Sequence, residues 1–427
     1  MTVLIDLGDP RGLDDEPAAP PLSPARRRGV LLAAVALAGL LGFGGSATVP
    51  PLPLTQVAHF DPPLAAPVVT TGDLVLALDR RESGRALAAI GGADGAQRWR
   101  VPLTGATTEV YEAVRAGGTL LVTVFDSAAQ TDMWSTYALD PDTGALRWQA
   151  RAMVLGVAPR AADWTVLLAV GTEPERFSGR DAATGRELWH LSPPGPRSWS
   201  RYRVGGVLGG LVLFEVAERM TARLLSPDGT LGEPRPIPDG LEGVQVAGDL
   251  AVTAYVADGA RRVAALRLPG LAPAWDVAYP VGGNPLFVDA CAPMICVNGS
   301  DWISVLDPAD GGTRWEGQVG GAYPLASGLL VSNVNERPRH GVLRDTATGG
   351  ILLRLAQWTV IGHDGRAVLL AYIGDDRTWF GAVDLDRPGR LRVIGVGGPT
   401  LDRCWLGDGT VVCEAMLGGL DVYRYRL

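Results

Sequence analysis

The chain contains no lysine, so every one of its 38 basic side chains is an arginine, a bias we attribute to GC-rich coding rather than to function. No basic run exceeds Arg26, Arg27 and Arg28, and the formal net charge is -8. That argues against a nucleic-acid partner, because neutralising phosphates requires a clustered positive surface. Histidine is scarce: His59, His190, His340 and His363 stand apart, with no HExxH zinc motif and no GxSxG nucleophile elbow. His363 and Asp364 read as a Gly-flanked turn rather than a catalytic pair. The four cysteines include neither an adjacent pair nor a Cys-x-x-Cys, and no histidine lies near them to complete a tetrahedral metal set. Helical periodicity is absent beyond residue 53.

What the chain has in quantity is glycine (56) and proline (32), together more than a fifth of 427 residues. Both destabilise helix interiors, so an all-β fold with many turns is expected. With 47% hydrophobic against 20% charged residues, the chain can bury a large core.

The first 49 residues divide into two zones. Residues 1–28 are rich in Pro, Ala and acidic side chains and have too few large apolar groups to offset the entropy of ordering, so they read as a disordered cytoplasmic tail. Residues 29–49 are uncharged and contain VLLAAVALAGLLGF, which at about 1.5 Å per residue is just long enough to cross a hydrocarbon layer as a helix. The arginine triplet on its N-terminal flank holds that side in the cytoplasm. The expectation is a single-pass cell-membrane anchor with residues 50–427 outside the cytoplasm. A cleaved signal peptide and secretion are the alternative, since Gly45-Ser46-Ala47 is a passable small-residue cleavage site. No cysteine follows the apolar run to carry a lipid anchor.

From Leu54 onward the sequence repeats. Three copies are clear: YALDPDTGALRW with Asp140, Gly144 and Trp148; GRDAATGRELW with Asp181, Gly185 and Trp189; and SVLDPADGGTRW with Asp307, Gly311 and Trp315. Each has Asp four residues before Gly and Trp four after it. Gly95 and Trp99 keep half of the pattern, and Asp345 and Gly349 the other half. Successive tryptophans, Trp99, Trp148 and Trp189, are 49 and 41 residues apart, and Trp275 and Trp315 are 40 apart. A period of that size means one four-stranded blade per repeat. Asp can accept hydrogen bonds from turn amides, Gly tolerates the positive φ that closes a hairpin, and Trp offers a wide apolar face to the next blade. These are structural roles, so none of the nine residues is read as catalytic.

At these positions the chain resembles the pyrroloquinoline quinone (PQQ) enzyme-repeat propellers over residues 54–427. That family includes quinoprotein alcohol dehydrogenases, the BamB outer-membrane assembly lipoprotein and the sensor ectodomains of some bacterial kinases. The resemblance implies a β-propeller, usually of eight blades. Counting outer-strand turns, with residues 54–60 completing the C-terminal fragment, gives nine. The expectation is eight, with nine the alternative. Pairing an N-terminal strand with the last blade would remove the open sheet edge. Cys291 with Cys296, and Cys404 with Cys413, fit disulfides across the first hairpins of their blades, because adjacent antiparallel strands bring side chains within reach. Quinoproteins of this family hold PQQ between a tryptophan floor and a disulfide of adjacent cysteines, with Ca²⁺ on carboxylate and amide oxygens. Without adjacent cysteines, neither cofactor nor metal is expected. The functional expectation is a non-catalytic, monomeric scaffold that binds a protein or cell-envelope component on its loop face and is held to the membrane by its N-terminal helix. The alternative is a divergent quinoprotein that binds PQQ or another small ligand in its channel.

Overall fold

The computed structural model describes residues 53–427 apart from short stretches at 62–63, 82–83, 105–106, 127–132, 162, 171–175, 194–195, 217–218, 240, 280–286, 300–301, 320–321, 326–327, 335–339, 399–400 and 416–417. The tail assigned to residues 1–28 and the helix assigned to residues 29–49 lie outside the described residues. Among those described there are 36 strands and no helix, so no helix is present that could cross a membrane.

The strands form nine antiparallel sheets of four. In chain order they are blade 1 (64–102), blade 2 (107–150), blade 3 (153–191), blade 4 (196–236), blade 5 (241–279), blade 6 (287–318), blade 7 (322–356), blade 8 (359–396) and blade 9 (401–425). Blade 9 takes its outer strand from Leu54–Phe60. The second and third strands of a blade are covered on both faces by neighbouring blades, and so read as continuous apolar runs. Thr119–Asp126, for example, is buried over its first six residues. Outer strands are wetter and alternate: Thr313–Gln318 exposes Thr313, Arg314, Glu316 and Gln318 around a half-buried Trp315.

Nine core clusters lie at the nine blade junctions. Leu121 packs with Val166 between blades 2 and 3, Val212 with Ala251 between blades 4 and 5, and Leu369 with Val411 between blades 8 and 9. The ring closes through Val412 and Val75 between blades 9 and 1. The expected eight blades are therefore corrected to nine. The reason is that a blade is defined by the burial of its middle strands rather than by its turn. Blade 4 turns through SPDGT (226–230) and blade 8 through DRPGR (386–390), both far from the consensus, yet each is a complete four-stranded sheet.

Closure uses the N-terminal strand as the turn count required. Leu54–Phe60 runs antiparallel to Leu420–Tyr425, from Leu54 opposite Tyr425 to Phe60 opposite Leu420. Buried Asp421 ties the two: one carboxylate oxygen accepts from Gln56 Nε2 at 2.8 Å and meets His59 Nδ1 at 2.7 Å, and the other accepts the Tyr423 hydroxyl at 3.3 Å. The hydrogen bond to Asp421 raises the His59 pKa above its ordinary 6.5. A raised folded-state value means the stabilisation is complete below pH 6.5 and is lost as pH rises through the folded pKa. His59 is half-exposed, which limits the effect to less than about 1 kcal/mol. The stability difference between wild type and His59→Gln should therefore be larger at pH 5.5 than at pH 8. Equal differences at both pH values would remove His59 from the closure.

Candidate functional site

The Asp, Gly and Trp of the repeat meet across blade boundaries. The Trp148 indole donates to the Ala182 carbonyl at 2.9 Å, in blade 3, and Trp189 donates to the Pro227 carbonyl at 3.0 Å, in blade 4. Trp99 reaches Pro141, Trp275 reaches Pro308, and Trp315 reaches Thr346 in the same way. In four of the five latches the acceptor directly follows the turn aspartate of the next blade; in blade 4 it follows Ser226. Each ring also covers that turn's glycine. Gly144 has φ +71°, and a Cβ on it would lie 2.7 Å from the Trp99 ring. Gly185, Gly311 and Gly349 stand in the same relation to Trp148, Trp275 and Trp315.

The aspartates organise the turns that receive these rings. Asp140 accepts from the amides of Asp142 and Thr143, from the Thr143 hydroxyl at 3.0 Å and from Arg147 at 2.8 Å. The Arg147 guanidinium, then Thr143, hold its carboxyl down at about 2. Asp181 is set by the Thr184 amide and hydroxyl, and Asp307 by the Ala309 amide and Arg314. Their pKa values are lowered as well, chiefly by the Thr184 hydroxyl and the Ala309 amide respectively. A carboxylate saturated with donors in this way is a strut and a poor base.

Both cysteine pairs are disulfides, and both join an innermost strand to the second strand of its blade. Cys291 and Cys296 have Cα atoms 5.5 Å apart in blade 6; Cys404 and Cys413 face each other directly in blade 9 at 4.1 Å. Neither has the adjacent-cysteine form that the quinoprotein resemblance implies over a cofactor. Among the described residues, no group of three His, Cys, Asp or Glu side chains converges to hold a metal ion.

Among the described residues, a polar tie on the inner strands joins blades that are not neighbours. Arg201, on the inner strand of blade 4, makes paired bonds to Glu112 of blade 2 at 3.1 and 2.9 Å, and bonds the Val154 carbonyl of blade 3 at 3.3 Å on the way. Ser200, on the other side of that strand, bonds Gln245 of blade 5 at 3.2 Å. A cavity of about 460 Å³ opens here, lined also by Tyr111 and Trp199. Four consecutive blades are thus linked through side chains at the channel. No local motif marks these residues, since Arg201 and Glu112 are 89 positions apart.

Antiparallel order puts the turns after each first and third strand on one face of the ring, the turn face. The connections after each second strand, and those between blades, lie on the opposite, loop-bearing face. Aromatic side chains gather at the strand ends of the loop-bearing face. Trp134 packs with Tyr111 and Phe125 at ring separations of 4.7 and 4.9 Å, Tyr279 stacks on Trp302 at 5.1 Å, and Trp358 meets Tyr372 at 5.9 Å. Phe287, at the start of the inner strand of blade 6, is 64% exposed, and Tyr111 is 49% exposed. Behind this face, Tyr255 donates to Asp276 at 2.5 Å and accepts from Arg262 at 3.0 Å; burial, then Asp276, raises its pKa and keeps the phenol protonated.

Residues 54–215 match a family model described as outer membrane protein assembly factor BamB. The match spans the closing strand, blades 1 to 3 and the first two strands of blade 4. No curated protein matches the sequence. Among solved structures, the chain is similar to BamB from Moraxella catarrhalis, at 14% identity over 87% of this chain and 100% of that one, with a TM-score of 0.44. It is also similar to a europium-containing methanol dehydrogenase, at 13% identity over 86% of this chain and 85% of that one, with a TM-score of 0.41.

Proposed function

Because the chain is a PQQ-like, BamB-like β-propeller, we propose that it is a non-catalytic interaction scaffold outside the cytoplasm, tethered by residues 29–49 and binding a protein partner on the loop-bearing face. The observation that carries this reading is the set of aromatic pairs on that face. The latch tryptophans are engaged through both ring and indole N–H by the next blade's turn, whereas Phe287 and Tyr111 are exposed and the half-buried Trp134, Trp302 and Trp358 pack against other aromatic rings beside them. Wide, rigid aromatic surfaces are the commonest energetic anchors of protein interfaces. The half-buried Arg201–Glu112 tie beside them fixes the inner strands of blades 2 to 4, so the anchors are held before a partner arrives.

The test is photo-crosslinking from the full chain in its own membranes, with the reactive group placed at Tyr111 or Phe287, or on the turn face at Leu146 or Ile351. A discrete adduct is expected from the first pair only, and alanine at the neighbouring anchor should weaken it by about tenfold or more. Equal adducts from both faces, or none from either, would overturn the assignment of the face. Protease added to cells stripped of their wall tests the topology separately: protection of the propeller would refute its placement outside the cytoplasm.

A further inference from the structure

We propose that the cleft at the turn-face corner of blades 8 and 9 binds a phosphate group through Arg366, Arg387, Arg390 and Arg392. The cleft encloses about 810 Å³, enough for a small organic ligand rather than a bare ion. Arg366 comes from the first turn of blade 8, Arg387 and Arg390 from its last turn, and Arg392 from its outer strand, opposite Ala382. Small side chains at Ala367 and Ala382 leave the corner open.

The arginine at this place in the repeat is elsewhere occupied. Arg147 and Arg314, each three residues after the turn glycine, bond the aspartate of their own turn, Asp140 and Asp307; Arg98 bonds Asp94 likewise. Arg392 is three residues after Gly389, but its turn is one residue longer, so Asp384 stands five before the glycine instead of four. One Asp384 oxygen accepts the Asp386 amide at 2.9 Å, and Arg392 has no carboxylate. Among the described residues, the side chains of Arg366, Arg387 and Arg390 have no hydrogen-bond or ion-pair partner either. Four arginines and two side-chain carboxylates, Asp384 and Asp386, therefore line one cleft, with Leu427 on its blade 9 side, in a chain of net charge -8. Planar guanidinium forks match phosphate oxygens in pairs, which makes phosphate the ligand chemistry that completes them. The group could be carried by a soluble phosphate compound or by an anionic lipid headgroup.

Two probes separate those sources. Inorganic phosphate is titrated calorimetrically into the full chain, against chloride at matched ionic strength. Vesicles of phosphatidylglycerol in phosphatidylcholine are tested by flotation, against phosphatidylcholine alone. Saturable binding of either probe is expected, with phosphate alone indicating a soluble ligand and vesicles alone a lipid headgroup. The double variant Arg390→Gln/Arg392→Gln should weaken binding by about tenfold or more, the effect of losing charge-assisted bonds. The lysine pair at the same positions should restore part of it. Arg186→Gln, on the blade 3 turn and equally without a partner, should leave binding unchanged. All four arginines are exposed, so the variants should melt as wild type does. Failure of both probes to bind beyond their controls, or equal weakening by Arg186→Gln, would overturn the site.

Discussion

Replacing Trp99 by alanine should lower the stability of the propeller by about 3 to 5 kcal/mol, the usual cost of truncating a large buried aromatic. Trp99 is 6% exposed, its ring lies on Gly144, and its indole N–H is held by the Pro141 carbonyl at 2.8 Å. Truncation removes the ring, opens the junction between blades 1 and 2 and leaves that carbonyl to water. The reciprocal change, Gly144→Ala, should cost about 2 to 4 kcal/mol: roughly 1 to 2 for a side chain at φ +71°, and the rest for the clash with the ring. The two costs should not add. With Trp99 gone, the Cβ at position 144 has space, and only the backbone cost should remain. Urea midpoints for wild type, both single variants and the double variant complete the cycle. A Trp99→Ala loss below about 1 kcal/mol, or simple additivity, would show that the latch is not an energetic unit.

That cycle also shows how far the sequence could be read. The spacing of Asp140, Gly144 and Trp148 identifies a turn and a period, because hairpin closure is local chemistry. It suggests a wide face for a neighbouring blade, but the partner of Trp148 is Gly185 and the partner of Gly144 is Trp99, each one repeat away. The strand interiors were legible for the same local reason: Thr119–Asp126 is apolar because both of its faces are covered. The blade number was legible in the turn count, which gives nine; eight was expected because the resembled family usually has eight, and weak turns such as SPDGT at 226–230 carry too little signal to outweigh that. Least legible was the channel. Arg201 reaches Glu112 only because the ring curves blades 2 and 4 toward each other past Val154, a relation that no window of sequence contains.

Removing both disulfides by alanine substitution should cost about 4 to 6 kcal/mol, roughly 2 to 3 for each short loop on the chain-entropy model. The loops close over sequence separations of 5 and 9 residues, and blades 6 and 9 share no junction, so the losses should add. Alanine is the appropriate replacement because Cys291, Cys296 and Cys413 are at most 1% exposed, and serine would bury an unpaired hydroxyl. Each bond ties an innermost strand to the strand behind it, so its loss should loosen the channel wall before the outer strands. Melting with and without reductant gives the check: wild type and each double-cysteine variant should melt lower under reduction, whereas the fully substituted chain should not respond. A wild type indifferent to a reductant that opens both bonds would remove the stabilising role. The same cysteines report on location. Protein taken from its native host should contain no free thiol, because an oxidising compartment keeps such bonds closed and the cytosol does not. Four free thiols in that protein would contradict placement of the propeller outside the cytoplasm, while a loss of stability on reducing the isolated protein would still stand as a property of the fold.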